Sequence, residues 1–389
     1  MDPILHYISS RESEIIHLIR AFVECESPSD DRAAVDRFVD LVADSLASEA
    51  RIRAIPGGRF GRHVRAEFVL PGRKKAGQIL ALGHSDTVWP MGTLTQMPWR
   101  EAPDATGRMR LWGPGVLDMK AGIAFLIFAT RAVREMDLPV ASKVVLLLNS
   151  DEEVGSDSSR PLTEKEALRS HAVLVLEPGT GLDGKLKTAR KGVGGYTVKV
   201  RGKASHAGVD FSAGASAIVE LARQIEKIAG FTDLMRGTTV NPGVIRGGTR
   251  TNVIAAEASA EVDLRVLRLR DAPRLDRKFR ALRPFDKRCV LTVEGGLNRP
   301  PMERSAGVAA LYRTAKRLGV ELGVNVEESL TGGGSDGNFT AALGVPTLDG
   351  LGAVGEGAHA SHESILTARI ADRTALLAKL LLAVKPVDR

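Results

Sequence analysis

Cysteine is nearly absent. Cys25 and Cys289 are the only two in 389 residues, far apart and without the close spacing of a thiolate metal site, so neither a disulfide framework nor a cysteine-held zinc is indicated. Aromatic residues are scarce as well, at 4% against 43% hydrophobic overall, which leaves alanine, valine and leucine to fill the core. No apolar run approaches the roughly 20 residues that a membrane-spanning helix needs. The N-terminal stretch MDPILHYISSRESEIIHLIRAFVE has a helical pattern broken by charges, and it lacks the basic start, apolar centre and cleavage site of a secretory leader. A cytoplasmic protein is expected. A long basic tract is missing too: the net charge is +7, yet 47 acidic residues are mixed among 54 basic ones. That pattern speaks against nucleic-acid or membrane partners and for a solvated, arginine-rich surface.

What is present is a set of short buried strands that end in histidine or carboxylate. Ile79 to Leu82 form an apolar run closed by Gly83 and followed by His84 and Asp86. Residues two apart on extended chain point to one side, where a carboxylate can aim a metal-binding imidazole. The segment GPGVLDMKAG, 113–122, opens a helix expected to run through Val133, with Asp118 at its entrance, where it reads by itself as an N-cap. A second strand, 143–148, ends in Asn149-Ser-Asp-Glu152-Glu153-Val-Gly155. Adjacent acids repel one another unless cations sit among them. Their side chains diverge, so one glutamate can coordinate metal while its neighbour serves as a base. A third strand, 172–176, leads into Glu177. Ligand sites collect at the C-terminal ends of strands in open parallel sheets, and oxygen and imidazole donors without thiolate suit zinc, with cobalt or manganese as alternatives.

A chain of this length is expected to form two domains. From Lys191 the pattern changes to half-buried strands and amphipathic helices in the order βαββαβ, which reads as an inserted ferredoxin-like α+β domain at 191–299. The catalytic α/β domain, with a mostly parallel central sheet, then comprises 1–190 and 300–389. Residues 89–112 are rich in Pro, Gly and isolated charges and are expected to form a long loop walling a cleft, with Trp89 and Trp99 packing there or stacking on a ligand. The loop 331–338 carries GGGSDGN but no phosphate-loop lysine; its backbone N–H groups around Gly334 can instead bind a carboxylate. GAHASHE supplies a late histidine, His359, with His362 as a rival three residues on.

GHSDTV, GPGVLDMKAG, NSDEEVGS, LEPG, GKASHAG, TNVI, VDLR, GGGSDGN and GAH occur in this order along nearly the whole chain. Each is weak alone, but the ordered set resembles the M20 family of co-catalytic zinc metallopeptidases, and within it the glutamate carboxypeptidase, or carboxypeptidase G, branch. The resemblance implies a zinc-exopeptidase-like catalytic domain with two zinc ions per chain, one held by His84 and Glu177, the other by Glu153 and His359, with Asp118 bridging. It further implies that Asp86 orients His84 and that Glu152 is the general base. His206, in GKASHAG, matches a histidine that reaches across a homodimer to the oxyanion, so the inserted domain would be the dimerisation or lid domain. Asn252 and Arg265 match substrate-binding residues, and Arg299, in a looser alignment, matches an arginine of the glutamate-specific branch. The bridging aspartate is followed here by Met119-Lys120 where other members often have a second aspartate.

The implied activity is release of a C-terminal amino acid, glutamate, from N-acyl, peptidyl or folate-like small molecules. A deacylase of the acetylornithine or succinyl-diaminopimelate type is the alternative, and a non-catalytic dimeric binding protein a third.

Overall fold

The computed structural model describes residues 2–386. The chain divides into two compact units, one of residues 1–189, 304–331 and 335–389, the other of 190–303 with 332–334. The sequence boundaries of 191 and 299 are thus shifted by one and four residues. The first three glycines of GGGSDGN go with the inserted unit, and its Ser335 onward with the larger one.

The larger unit is built on six strands. In chain order these are β1 (Ala50–Pro56), β2 (Arg62–Phe68), β3 (Gln78–His84), β4 (Lys143–Asn149) and β5 (Ala172–Val175), with β10 (Thr347–Leu348) following the inserted unit's β6 (Gly192–Arg201), β7 (Thr239–Gly247), β8 (Glu257–Val266) and β9 (Val290–Arg299). Their order across the sheet is β1-β2-β4-β3-β5-β10. The β4-β3-β5-β10 block is parallel, and β2 and β1 extend it antiparallel. Parallel strands buried on both faces read as unbroken apolar runs. Accordingly Ile79, Ala81, Leu146 and Leu174 pack into the main core together with helix Ala121–Glu135, while Leu80, Leu82, Leu147 and Val175 pack into the core on the opposite face. Each fully buried leucine or valine contributes roughly 1.5–3 kcal/mol. The register sets His84 opposite Asn149 and Leu82 opposite Val175, so the three strands that lead to His84, Glu152–Glu153 and Glu177 end at one edge of the sheet.

Two local expectations change. Residues 4–24 form two helices, Pro3–Ser10 and Glu12–Glu24, because the backbone leaves helical geometry at Arg11. Residues 89–112 are not loop throughout. Arg100–Pro103 and Met109–Trp112 form a hairpin that extends through Ser364–Leu366 to Gly355–Glu356 as a four-stranded sheet. Asp104 closes its turn by accepting from Thr106 N (2.8 Å) and Arg108 N (3.1 Å). Strands of four residues are too short to show alternation.

In the smaller unit, β6, helix Ala217–Ala229, β7, β8, helix Ala272–Arg280 and β9 follow one another in the βαββαβ order. They make an antiparallel sheet ordered β7-β8-β6-β9. Alternate residues of β6, among them Tyr196, Val198 and Val200, face a core shared with Leu221, Ile228 and Phe279 of the two helices, and Tyr196 stacks on Phe279 at 3.8 Å. Among the described residues no helix is long and apolar enough to cross a membrane.

Candidate active site

His84 ends β3 and is almost fully buried. Its Nδ1 lies 2.9 Å from the main-chain oxygen of Asp86 and 3.6 Å from Asp86 Oδ1, so the carbonyl is the nearer partner and holds the proton on Nδ1. That turns Nε2 towards Asp118 and Glu177. The Asp86 carboxylate meets other partners: it accepts from Ser29 Oγ (2.7 Å) and from the amides of Glu152 and Glu153 (3.1 Å each). Its strongest contacts therefore fix the loop that carries both glutamates. Asp336 of GGGSDGN braces that loop from below, accepting from Asn149 Nδ2 and Ser156 Oγ, each at 2.5 Å. Nothing in the sequence order links Asp336 to the 149–156 loop; an acid inside a glycine-rich loop is its one visible signal.

Asp118 does not cap the helix. That helix starts at Ala121 behind Lys120 without a side-chain cap, and Asp118 sits in a preceding kinked turn with φ −119° and ψ 93°. The Asp118–Met119 peptide bond is cis. From this turn Asp118 Oδ1 lies 3.2 Å from His84 Nε2, and Oδ2 lies 3.5 Å from His359 Nε2. Glu177 Oε1 is 3.6 Å from His84 Nε2, and Glu153 Oε1 is 3.2 Å from His359 Nε2. Glu152 borders the first pair, with a carboxylate oxygen within 4.8 Å of the ligand atoms of His84 and Glu177. His359 occupies a loop at φ +61°. His362, three residues on, is exposed.

These separations fit metal. Donors about 2.0–2.1 Å from a tetrahedral zinc lie about 3.3 Å from one another, and the observed spacings of 3.2 to 3.6 Å bracket that edge. The charge points the same way. Burial opposes protonation of His84, but hydrogen bonding to Asp118 and Glu177 outweighs it and raises the imidazole well above its ordinary pKa. Hydrogen bonds to Asp118 and Glu153 push His359 up to about 10. Burial raises the Glu153 carboxyl, and His359 only partly offsets it. A knot of carboxylates that draws protons onto two histidines in this way is a site short of positive charge.

Trp89 is engaged by protein, its Nε1 donating to Glu363 at 2.7 Å. In the smaller unit, His206 is exposed and its Nδ1 accepts from Gly208 N (3.2 Å) and Val209 N (3.1 Å). Accepting at Nδ1 puts the proton on Nε2, which leaves a donor on an exposed side chain. The carbonyl of Asn252 accepts from Ala207 N at 2.9 Å, beside this histidine. Arg265 is paired with Asp263 at 3.0 Å and also donates to Gly332 O at 3.3 Å. Arg299 is buried, and Gly334 lies against it: a Cβ on Gly334 would stand 3.0 Å from Arg299 Cδ.

The sequence profile of Peptidase family M20/M25/M40 matches residues 80–383. The chain belongs to the M20 peptidase family. Among characterised sequences, this M20 hydrolase is 30% identical to carboxypeptidase G2 of Pseudomonas sp. (strain RS-16) over 364 residues, covering 90% of this chain and 84% of the relative. Its fold matches the aminopeptidase PepT of Bacillus cereus with a TM-score of 0.78 at 22% identity, over 95% of this chain and 98% of the other. It also matches a dinuclear metal binding peptidase from the M20 family of Bacillus subtilis with a TM-score of 0.68 at 15% identity, over 96% and 98% of the two chains.

Proposed function

We propose that this M20 enzyme hydrolyses the amide bond joining a C-terminal amino acid, glutamate by preference, to an N-acyl, peptidyl or folate-like group, with two zinc ions per chain. The observation that carries the reading is the split aim of Asp118, one oxygen towards His84 and the other towards His359, which is what a carboxylate shared by two cations needs. The kinship to carboxypeptidase G2 and the fold shared with a dinuclear M20 peptidase support it. His84, Glu177 and Asp118 would hold one ion; Glu153, His359 and Asp118 would hold the other. When bound, such a pair lowers the pKa of water and polarises a carbonyl. Glu152 accepts the proton of the attacking water and delivers it to the leaving amine, a role worth about 10² to 10⁴ in rate. Asp86 keeps Glu152 and Glu153 in place through their amides.

Oxyanion stabilisation falls to His206 of a second copy, through its Nε2–H. A homodimer would join through the smaller unit. Strand β7 lies at the edge of its sheet, and Val244 and Ile245 on it, with Ile218 and Val219 on the helix packed beside it, are exposed apolar side chains. A pairable edge flanked by apolar surface suits a self-complementary contact. Asn252, Gly334, Arg265 and Arg299 are assigned to the substrate, the arginines because a planar fork pairs with a carboxylate through two bonds. The two cysteines are unpaired, in keeping with residence in the cytoplasm.

The test compares N-acyl-glutamate with N-acyl-alanine. The glutamyl substrate should be preferred, and Arg299→Ala should erase much of that preference, since charge-assisted bonds contribute about 1.5 to 3 kcal/mol. Arg265→Ala should depress both substrates. Equal kcat/KM for the two in the unmodified enzyme would refute glutamate specificity and favour the deacylase alternative.

A further inference from the structure

Glu363 belongs to none of the ligand pairs, yet its carboxylate is 1% exposed and fully engaged. Oε1 accepts from Leu117 N at 2.9 Å and from Asp118 N at 3.1 Å; Oε2 accepts from Gly115 N at 2.9 Å and from Trp89 Nε1 at 2.7 Å. All four partners are donors that cannot accept, so both carboxylate oxygens serve as acceptors. The main chain is tied in as well, Gly113 N donating to Glu363 O at 3.3 Å. The three amides belong to the kinked turn that ends in Asp118. Without Glu363 they would be buried donors lacking partners, which native structures rarely tolerate.

The connections run between ligand segments. Trp89 follows Asp86 by three residues, the turn 115–118 carries the bridging aspartate, and Glu363 itself follows His359 by four. We propose that Glu363 is a positioning residue for the metal centre. It clamps the 115–118 turn to the His359 segment and so holds Asp118 with one oxygen towards His84 and the other towards His359. Divalent-cation affinity would then depend on a carboxylate that touches no cation. The inference rests on the two-cation reading above. Partners of this outer kind typically change metal affinity by about 10- to 100-fold when removed.

Each oxygen of Glu363 serves two donors, so Glu363→Gln turns an amide NH₂ towards two N–H groups in either orientation. Trp89→Phe removes one donor and leaves the carboxylate and the three amides in place. The full chain is freed of metal with a chelator and titrated with Zn²⁺ against a chromophoric chelator, and separately with Co²⁺ read by its visible absorption. Far-UV circular dichroism and melting temperature report the fold. The parent should take up about two ions. Glu363→Gln should bind them about 10- to 100-fold more weakly, with an altered Co²⁺ spectrum and an unchanged fold, and Trp89→Phe should show a smaller loss in the same direction. A folded Glu363→Gln protein with affinities within about twofold of the parent and the parental Co²⁺ spectrum would overturn the proposal. If Glu363→Gln does not fold, Trp89→Phe decides by the same criterion. A parent that binds no ion pair would instead sink the two-cation reading, an outcome distinct from a parent that binds while the variants match it.

Discussion

Replacing Gly122 by alanine gives a sharp test of how closely the strand that leads to Glu177 and its covering helix are packed. Gly122 is the second residue of helix Ala121–Glu135, where propensity alone favours alanine by up to roughly 1 kcal/mol. The packing reverses that sign. A Cβ at Gly122 would run into the main-chain oxygen of Leu176, well inside the 3.0 Å that real Cβ atoms essentially never breach, with Leu176 C at 3.2 Å and Leu176 Cβ at 3.4 Å. The obstacle is backbone and cannot rotate aside. Leu176 is held in place from other sides as well: a Cβ added at Gly352 would meet the same oxygen as closely, and Leu176 N is bonded to Leu82 O at 2.9 Å. Forcing extra volume into such a contact costs about 1 to 3 kcal/mol, which for a unit of this size lowers Tm by roughly 2 to 6 °C. Leu176 also precedes Glu177, and a ligand tolerates displacement of only about 0.5 Å, so divalent-ion affinity should fall with stability. Thermal melts with and without chelator, together with a zinc titration, measure both. A Gly122→Ala protein that melts no lower than the parent and binds metal equally well would show that this contact yields without cost.

Three further outcomes are expected. Glu152→Ala should abolish turnover while metal content stays near the parental value; loss of metal instead would mean that Glu152 and Glu153 exchange roles. His359→Ala should lose metal and activity while His362→Ala retains most of both, as metal analysis and an activity assay will show, and the opposite pattern would shift the ligand by three residues. Mixing His206→Ala chains with Glu152→Ala chains should restore activity through hybrid dimers, and absence of rescue in verified heterodimers would count against action in trans.

The sequence displays the fold class because its signals are local: apolar runs of strand length, a change to half-buried alternation after Lys191, and acids or histidine directly behind each buried strand. For the same reason the side chains that converge, from His84 to His359, stand out. What is hidden depends on contacts between distant positions. Asp86 lies two residues from His84, but its carboxylate is taken by amides 66 and 67 residues away, and Glu363 reaches a turn about 245 residues earlier. The hairpin 100–112 gains its sheet from Ser364–Leu366, which no local pattern announces. Asp118 looks like an N-cap because cap and ligand use the same residue type at the same place, and only the backbone angles separate them.

Sharing of Asp118 between two cations is what the proposed metal centre depends on. Its most direct test is the stoichiometry of metal in fully active enzyme, by elemental analysis after reconstitution with zinc. About two ions per chain are expected, falling together with activity in Asp118→Ala. One ion or none per chain at full activity would contradict it.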